Sequence, residues 1–167
     1  MLTRLYISNY ALIDELEIKF EDGLTIITGE TGAGKSIIMG ALSLILGERA
    51  EARSVRNQEK KVVVEASFDI SSYALEHYFS DNEIDLWEDE CIVRREINAS
   101  GRSRAFVNDT PVNISVLKEL TSRLIDIHSQ HSNMLLSKPL FQLSVLDSIA
   151  QNKDAVQKYE VEYICYT

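Results

Sequence analysis

Hydrophobic and polar residues alternate through much of the first hundred positions. Leu12, Leu16, Ile18 and Phe20 share one phase, with Glu15, Glu17 and Lys19 on the other, the period of a strand with one covered face. Residues 2–7 read as its partner strand, with Ser8-Asn9-Tyr10 as the turn between them. Residues 24–28 form a short apolar, β-branched run, the pattern of a buried strand. From 37 to 46 the spacing becomes helical, and Gly47 stands where a C-cap glycine ends a helix. Residues 48–61 are charged and aperiodic, hence a loop. Val62, Val64, Ala66, Phe68 and Ile70 then alternate with Val63, Glu65, Ser67 and Asp69, which predicts another strand.

Ser71-Ser72 is a candidate cap for a helix over 73–79, and the acidic stretch 81–90 reads as exposed. Residues 91–97 and 104–107 flank Asn98-Ala99-Ser100-Gly101 as a hairpin, with a second turn at 108–111. A helix is predicted over 115–122 and a strand over 123–128. After Pro139 the pattern is helical, with Leu140, Leu143, Leu146 and Ile149 three to four apart. Ile149, Val156 and Tyr163 then recur every seven residues, as do Tyr159 and Tyr166, which fits an amphipathic helix or the first turns of a coiled coil.

At 167 residues, with 45% apolar and 26% charged positions, the chain can bury a core without disulfides or metals, and it is neither fibrous nor disordered. No apolar stretch approaches the ~20 residues that span a bilayer, and no signal-peptide pattern opens the chain. Cys91 and Cys165 have no metal-ligand spacing, so reduced thiols and a cytoplasmic setting are the expectation. The net charge of −9 argues against a broad nucleic-acid face. It leaves room for local basic patches at 49–61 and 94–104, including Arg102 and Arg104 at a hairpin tip, which read first as solvated turns.

One motif carries chemistry. Gly29-Glu30-Thr31-Gly32-Ala33-Gly34-Lys35-Ser36 satisfies G-x-x-x-x-G-K-[ST] between a predicted strand and a predicted helix. Glycines let successive backbone N–H groups enclose phosphate oxygens, and the helix N-terminus adds positive potential. Lys35 is placed to bridge the β- and γ-phosphates of ATP, and Ser36 to ligate Mg²⁺. A hydrolase also needs an acid pair after an apolar strand, and none is present. Leu124-Ile125-Asp126-Ile127 comes nearest. This leaves a self-contained P-loop kinase using Asp126, a non-catalytic DNA-binding or scaffold module, or a split site whose acids lie elsewhere.

The blocks at 5–13 and 23–36, Leu46-Gly47-Glu48-Arg49-Ala50, Ser100-Gly101-Arg102-Ser103-Arg104-Ala105-Phe106-Val107-Asn108 and Leu124-Ile125-Asp126-Ile127-His128-Ser129-Gln130-His131 resemble the SMC-like branch of the ABC-type ATPases. Within that branch they are similar to a bacterial DNA double-strand-break repair family. The resemblance implies an α/β P-loop lobe, a mixed sheet with an antiparallel β-subdomain. It places the N-terminal lobe of an ATPase head at 1–148 and the start of a coiled-coil arm at 149–167. It implies a C-terminal head lobe of the same protein that supplies the signature motif, the Mg²⁺ aspartate and the catalytic glutamate. It further implies ATP-driven engagement with a second copy, action on DNA, and a recombinase as a candidate partner in the bacterial nucleoid. Gln130 then matches the glutamine loop that reaches Mg²⁺ or the attacking water, although Ser129 replaces an expected glycine. Arg53 and Arg56 lie where related heads carry an arginine that senses nucleotide or DNA. His128 and His131 lack the further ligand a metal site needs.

Overall fold

The computed structural model describes residues 1–28, 32–49, 55–127 and 139–150, with single positions at 152, 155, 158, 159 and 163. The chain divides into two compact units, Met1–Asp126 and Ile127–Thr167.

The first unit is built on six antiparallel strands: β1 (Leu2–Tyr10), β2 (Ile13–Lys19), β3 (Val62–Asp69), β4 (Glu90–Ile97), β5 (Ser103–Val107) and β6 (Thr110–Val112). Their order across the sheet is β2-β1-β3-β4-β5-β6. Strict alternation sorts the two faces. Leu5, Ile7, Val64, Ala66, Phe68, Val93 and Val107 are fully buried on one face. Against that face pack α1 (Gly32–Ile45) and α3 (Ile114–Leu124), while α2 (Glu76–Asp81) lies beside α3, with the Tyr78 hydroxyl donating to the Val116 carbonyl at 2.8 Å. The opposite face is a ladder of charge: Arg4 reaches Glu17 and Glu65, and Arg94 reaches Glu65, Glu96 and Asp109.

Several elements depart from the sequence pattern. The β1–β2 turn lies at Ala11-Leu12, because β1 continues through Ser8, Asn9 and Tyr10. Asn9 stays in the strand with a φ of 56° because its side chain is bound on both sides. Its amide donates to the carbonyls of Asn57 and Lys60, and its oxygen accepts from the Asn57 N–H. Leu12 is therefore exposed at the turn instead of sharing the face of Leu16, Ile18 and Phe20. Helix α2 begins three residues after the predicted start and has no side-chain cap, so Ser71-Ser72 does not cap it. The strand predicted over 123–128 is absent from the described residues 123–127: α3 takes Arg123 and Leu124, and 125–127 belong to no element.

The largest departure is at 24–28. The segment joins no strand, so the described sheet is antiparallel throughout and lacks the parallel part of the expected mixed sheet. Leu24 and Ile26 are 88% and 73% exposed. Their apolar pattern is that of a buried strand, and no described element covers them.

In the second unit, α4 (Pro139–Ile149) fits the predicted helix, and Tyr159 and Tyr163 stack with ring centroids 6.0 Å apart. No helix among the described residues is long and apolar enough to cross a membrane.

Candidate nucleotide site

Helix α1 starts within the glycine-rich motif, at Gly32. Gly34, Lys35 and Ser36 occupy its first turn and are exposed, and that turn carries no acid. A helix N-terminus leaves backbone N–H groups without intrahelical acceptors, and with no acid in this first turn its partial positive charge stays open to an anion. A Cβ built on Gly34 would meet nothing within 4 Å, so the approach to this turn is open. These features fit a triphosphate. Gly29, Glu30, Thr31, Gln130, His128, His131 and Arg53 lie outside the described residues, as does the side chain of Ala33.

The rest of α1 is anchored. Ala41, Leu44 and Ile45 are buried against the sheet. The C-terminus closes in a Schellman turn: Gly47, with φ of 85°, donates its N–H to Leu44, and Glu48 donates to Ser43. Arg95 adds a cation at that end. Its Nη1 donates to the Leu44 carbonyl at 3.0 Å, and its Nε and Nη2 donate to the Ser103 hydroxyl. A positive group there complements the negative end of the helix. Arg95 is 2% exposed, and burial lowers its pKa. The side chain that grips α1 was missed by sequence reasoning, yet a signal was present. Arg95 falls in phase with Cys91, Val93 and Ile97, at a position where the alternation demands an apolar residue.

Asp126 is exposed and follows α3 directly, without the strand a P-loop kinase would use to present it. No cluster of three metal-ligating side chains occurs among the described residues. Arg56 pairs with Asp14 at 2.6 Å and donates to the Leu12 carbonyl. Asn108, in the matched block 100–108, is structural. It is buried, exchanges hydrogen bonds with the Ile92 backbone, and donates to the Asp85 carbonyl.

A sequence model of the AAA domain matches residues 4–162. The chain belongs to the AAA-domain family. Curated relatives refine that placement. The chain is 47% identical over 158 residues to the DNA repair protein RecN of Vibrio cholerae, covering 94% of this chain and 28% of that protein. It is 42% identical over 166 residues to RecN of Haemophilus influenzae, covering 98% and 30%. The chain thus spans less than a third of the length of these relatives, and its likeness to RecN runs along nearly its whole extent. Among solved structures, one described as structural biochemistry of ATP-driven dimerization and DNA-stimulated activation of SMC ATPases superposes with a TM-score of 0.59 at 21% identity, covering 89% of this chain and 98% of that one. The fold is therefore the α/β P-loop fold of SMC-type heads.

Proposed function

We propose that this RecN-like chain is the nucleotide-binding N-terminal lobe of an SMC-like ATPase head that acts in DNA double-strand-break repair. The observation that carries the reading is the pairing of an open P-loop helix with an uncovered apolar segment. Leu24, Ile26 and Ile27 lead directly into the motif, are exposed, and have a strand's composition without a strand's neighbours. Exposed apolar runs of this kind lower their free energy by pairing with further chain. A C-terminal head lobe that completes the sheet would cover them and bring the acids this chain lacks.

Within this reading, residues 29–36 bind ATP. Lys35 offsets charge on the β- and γ-phosphates, Ser36 ligates Mg²⁺, and Gln130 orients the attacking water or the metal. Mg²⁺ bound with ATP supplies charge neutralisation along the phosphates. Residues 1–148 form the lobe and 149–167 open a coiled-coil arm. ATP favours engagement of two heads because it binds the engaged pair better than the separated one. DNA is the substrate, a recombinase is a candidate partner, and the setting is the bacterial cytoplasm and nucleoid. The absence of a strand before Asp126 weighs against a self-contained kinase.

The test is binding of a fluorescent ATP analogue and hydrolysis of ATP, with and without an added C-terminal lobe from a RecN relative. Binding abolished by Lys35→Ala, with turnover only in the presence of that lobe, is expected. Full turnover by the chain alone, or no binding at all, overturns the proposal.

A further inference from the structure

Eight arginines lie among the described residues, and they sort into two groups by position. Arg4, Arg56, Arg94 and Arg123 are paired with carboxylates. Arg49, Arg95, Arg102 and Arg104 have no acid partner among the described residues, and all but Arg102 lie where the β4–β5 hairpin meets the C-terminal end of α1. Three of these, Arg49, Arg95 and Arg104, line an open groove of about 1350 Å³, and Glu48 is the one acid among its described lining residues. On a chain of net charge −9 this is a local reversal of sign.

The other lining groups suit the same kind of ligand. Ser103, whose oxygen accepts from Arg95, keeps a hydroxyl proton to donate, and Gly101 offers backbone with a φ of 77°. Asn113 and Ile114 bring the N-terminus of α3 to the rim. That end has no acid in its first turn and no side-chain cap, so neither offsets the positive end of the helix dipole at the rim. Arg95 forms the floor. It is too buried to leave its partners Ser103 and Leu44, and it contributes its charge as a fixed field. Arg49, Arg102 and Arg104 are exposed and long enough to adjust to a ligand. Planar guanidiniums are suited to bidentate contact with phosphate oxygens.

We propose that this groove, remote from the P-loop at the opposite end of α1, holds the phosphate backbone of a nucleic acid, with Arg49 and Arg104 as the contacting cations. The proposal deepens the DNA-repair reading by giving DNA a place on this lobe. Because Arg95 joins the groove floor to the Leu44 carbonyl, the ligand would rest on the same helix whose other end carries Lys35.

The test joins the chain to the C-terminal remainder of a RecN relative. It measures binding of a short fluorescein-labelled duplex by anisotropy across a salt series, for the unaltered protein and for Arg49→Gln/Arg104→Gln. Loss of two phosphate contacts reduces the slope of log K against log salt by about 2 and the affinity at 0.1 M salt on the order of 60-fold. ATP-analogue affinity should stay unchanged in the variant. Unaltered DNA affinity and slope in the variant overturn the groove assignment while leaving the DNA-repair reading intact. Absence of DNA binding by the unaltered protein overturns both. Competition by inorganic phosphate at the groove, without any effect of the substitutions on DNA, assigns a small-anion site and overturns the nucleic-acid one. Arg104→Lys, which keeps the charge, should retain most of the salt slope; a slope as low as that of the double variant, with an unchanged circular dichroism spectrum, overturns the phosphate-contact assignment.

Discussion

The hydroxyl of Tyr10 occupies the space where a side chain on Gly40 would begin: a Cβ there would lie 2.7 Å from the Tyr10 oxygen. Tyr10 ends β1 and is buried, so it cannot swing away, and Gly40 sits in the middle of the P-loop helix. Glycine inside a helix costs about 1 kcal/mol relative to alanine. Its presence here buries the ring edge of Tyr10 against the helix backbone. Gly40→Ala is therefore expected to destabilise the chain by about 1 kcal/mol net, the helix gain being outweighed by overpacking of about 1–3 kcal/mol. Urea denaturation measures this. In the Tyr10→Phe background the nearest remaining atom is the ring carbon at 3.7 Å, an ordinary contact, so the penalty should shrink. An equal penalty in both backgrounds would contradict the account.

Arg95 reports on the grip between the hairpin and α1. Lysine cannot reach the Leu44 carbonyl and the Ser103 hydroxyl together, because it has one nitrogen where Arg95 uses three. Arg95→Lys is expected to cost about 2 kcal/mol through an unsatisfied buried acceptor and an imperfectly bound buried cation. Thermal unfolding of the variant is the check. A cost below about 0.5 kcal/mol would mean that the hydrogen bonds contribute no more than a surface contact does.

Cys91 is fully buried on β4, and burial, aided by the charge of Glu90, raises its thiol to about 12 from the ordinary 9.0. A raised folded value means that the folded chain keeps its proton where the unfolded chain loses it. The resulting contribution to stability is complete below pH 9.0 and is lost as pH rises from there toward 12, with no effect on the acid side. In a Cys165→Ser background, a thiol reagent at pH 9 should modify Cys91 only after urea is added. Rapid modification of the native protein would show that the site is open.

Leu24 and Ile26 separate the stability of this chain from its capacity to join further chain. Both are exposed, so Leu24→Ser/Ile26→Ser should leave the urea midpoint of the chain alone within about 0.5 kcal/mol. If a C-terminal lobe covers them, each buried side chain is worth about 1.5–3 kcal/mol, and binding of that lobe should weaken at least 100-fold. Calorimetric titration reads the loss. Undiminished binding would remove the observation on which the split-head reading rests.

Comparison of pattern and structure follows a physical line. The β4–β5 hairpin, β3, α1 with its Gly47 cap, and α4 were legible because their signals are local: period two, period 3.6, and a glycine forced to positive φ. The turn after β1 was misplaced because Asn9 looks like a turn residue. Its side chain is satisfied by Asn57 and Lys60, some fifty residues away, and no local pattern carries that information. The strand predicted at 123–128 failed for the opposite reason. Leu117, Leu120 and Leu124 are buried at helical spacing along one face of α3, and that packing extends the helix through residues whose local composition suits a strand.

What the sequence by itself determined is the pattern that points to the chemistry: a match to G-x-x-x-x-G-K-[ST] at 29–36, no acid pair to complete it, and an order of blocks that matches RecN. These depend on residue identity and spacing, which folding does not alter. The tertiary structure alone decided three things. It left residues 24–28 uncovered by any described element, it brought Arg95 from β4 to the end of α1, and it set Arg49, Arg95 and Arg104 along one groove. Each depends on which distant segments meet, and a one-dimensional pattern does not encode where a strand will find, or lack, its neighbour.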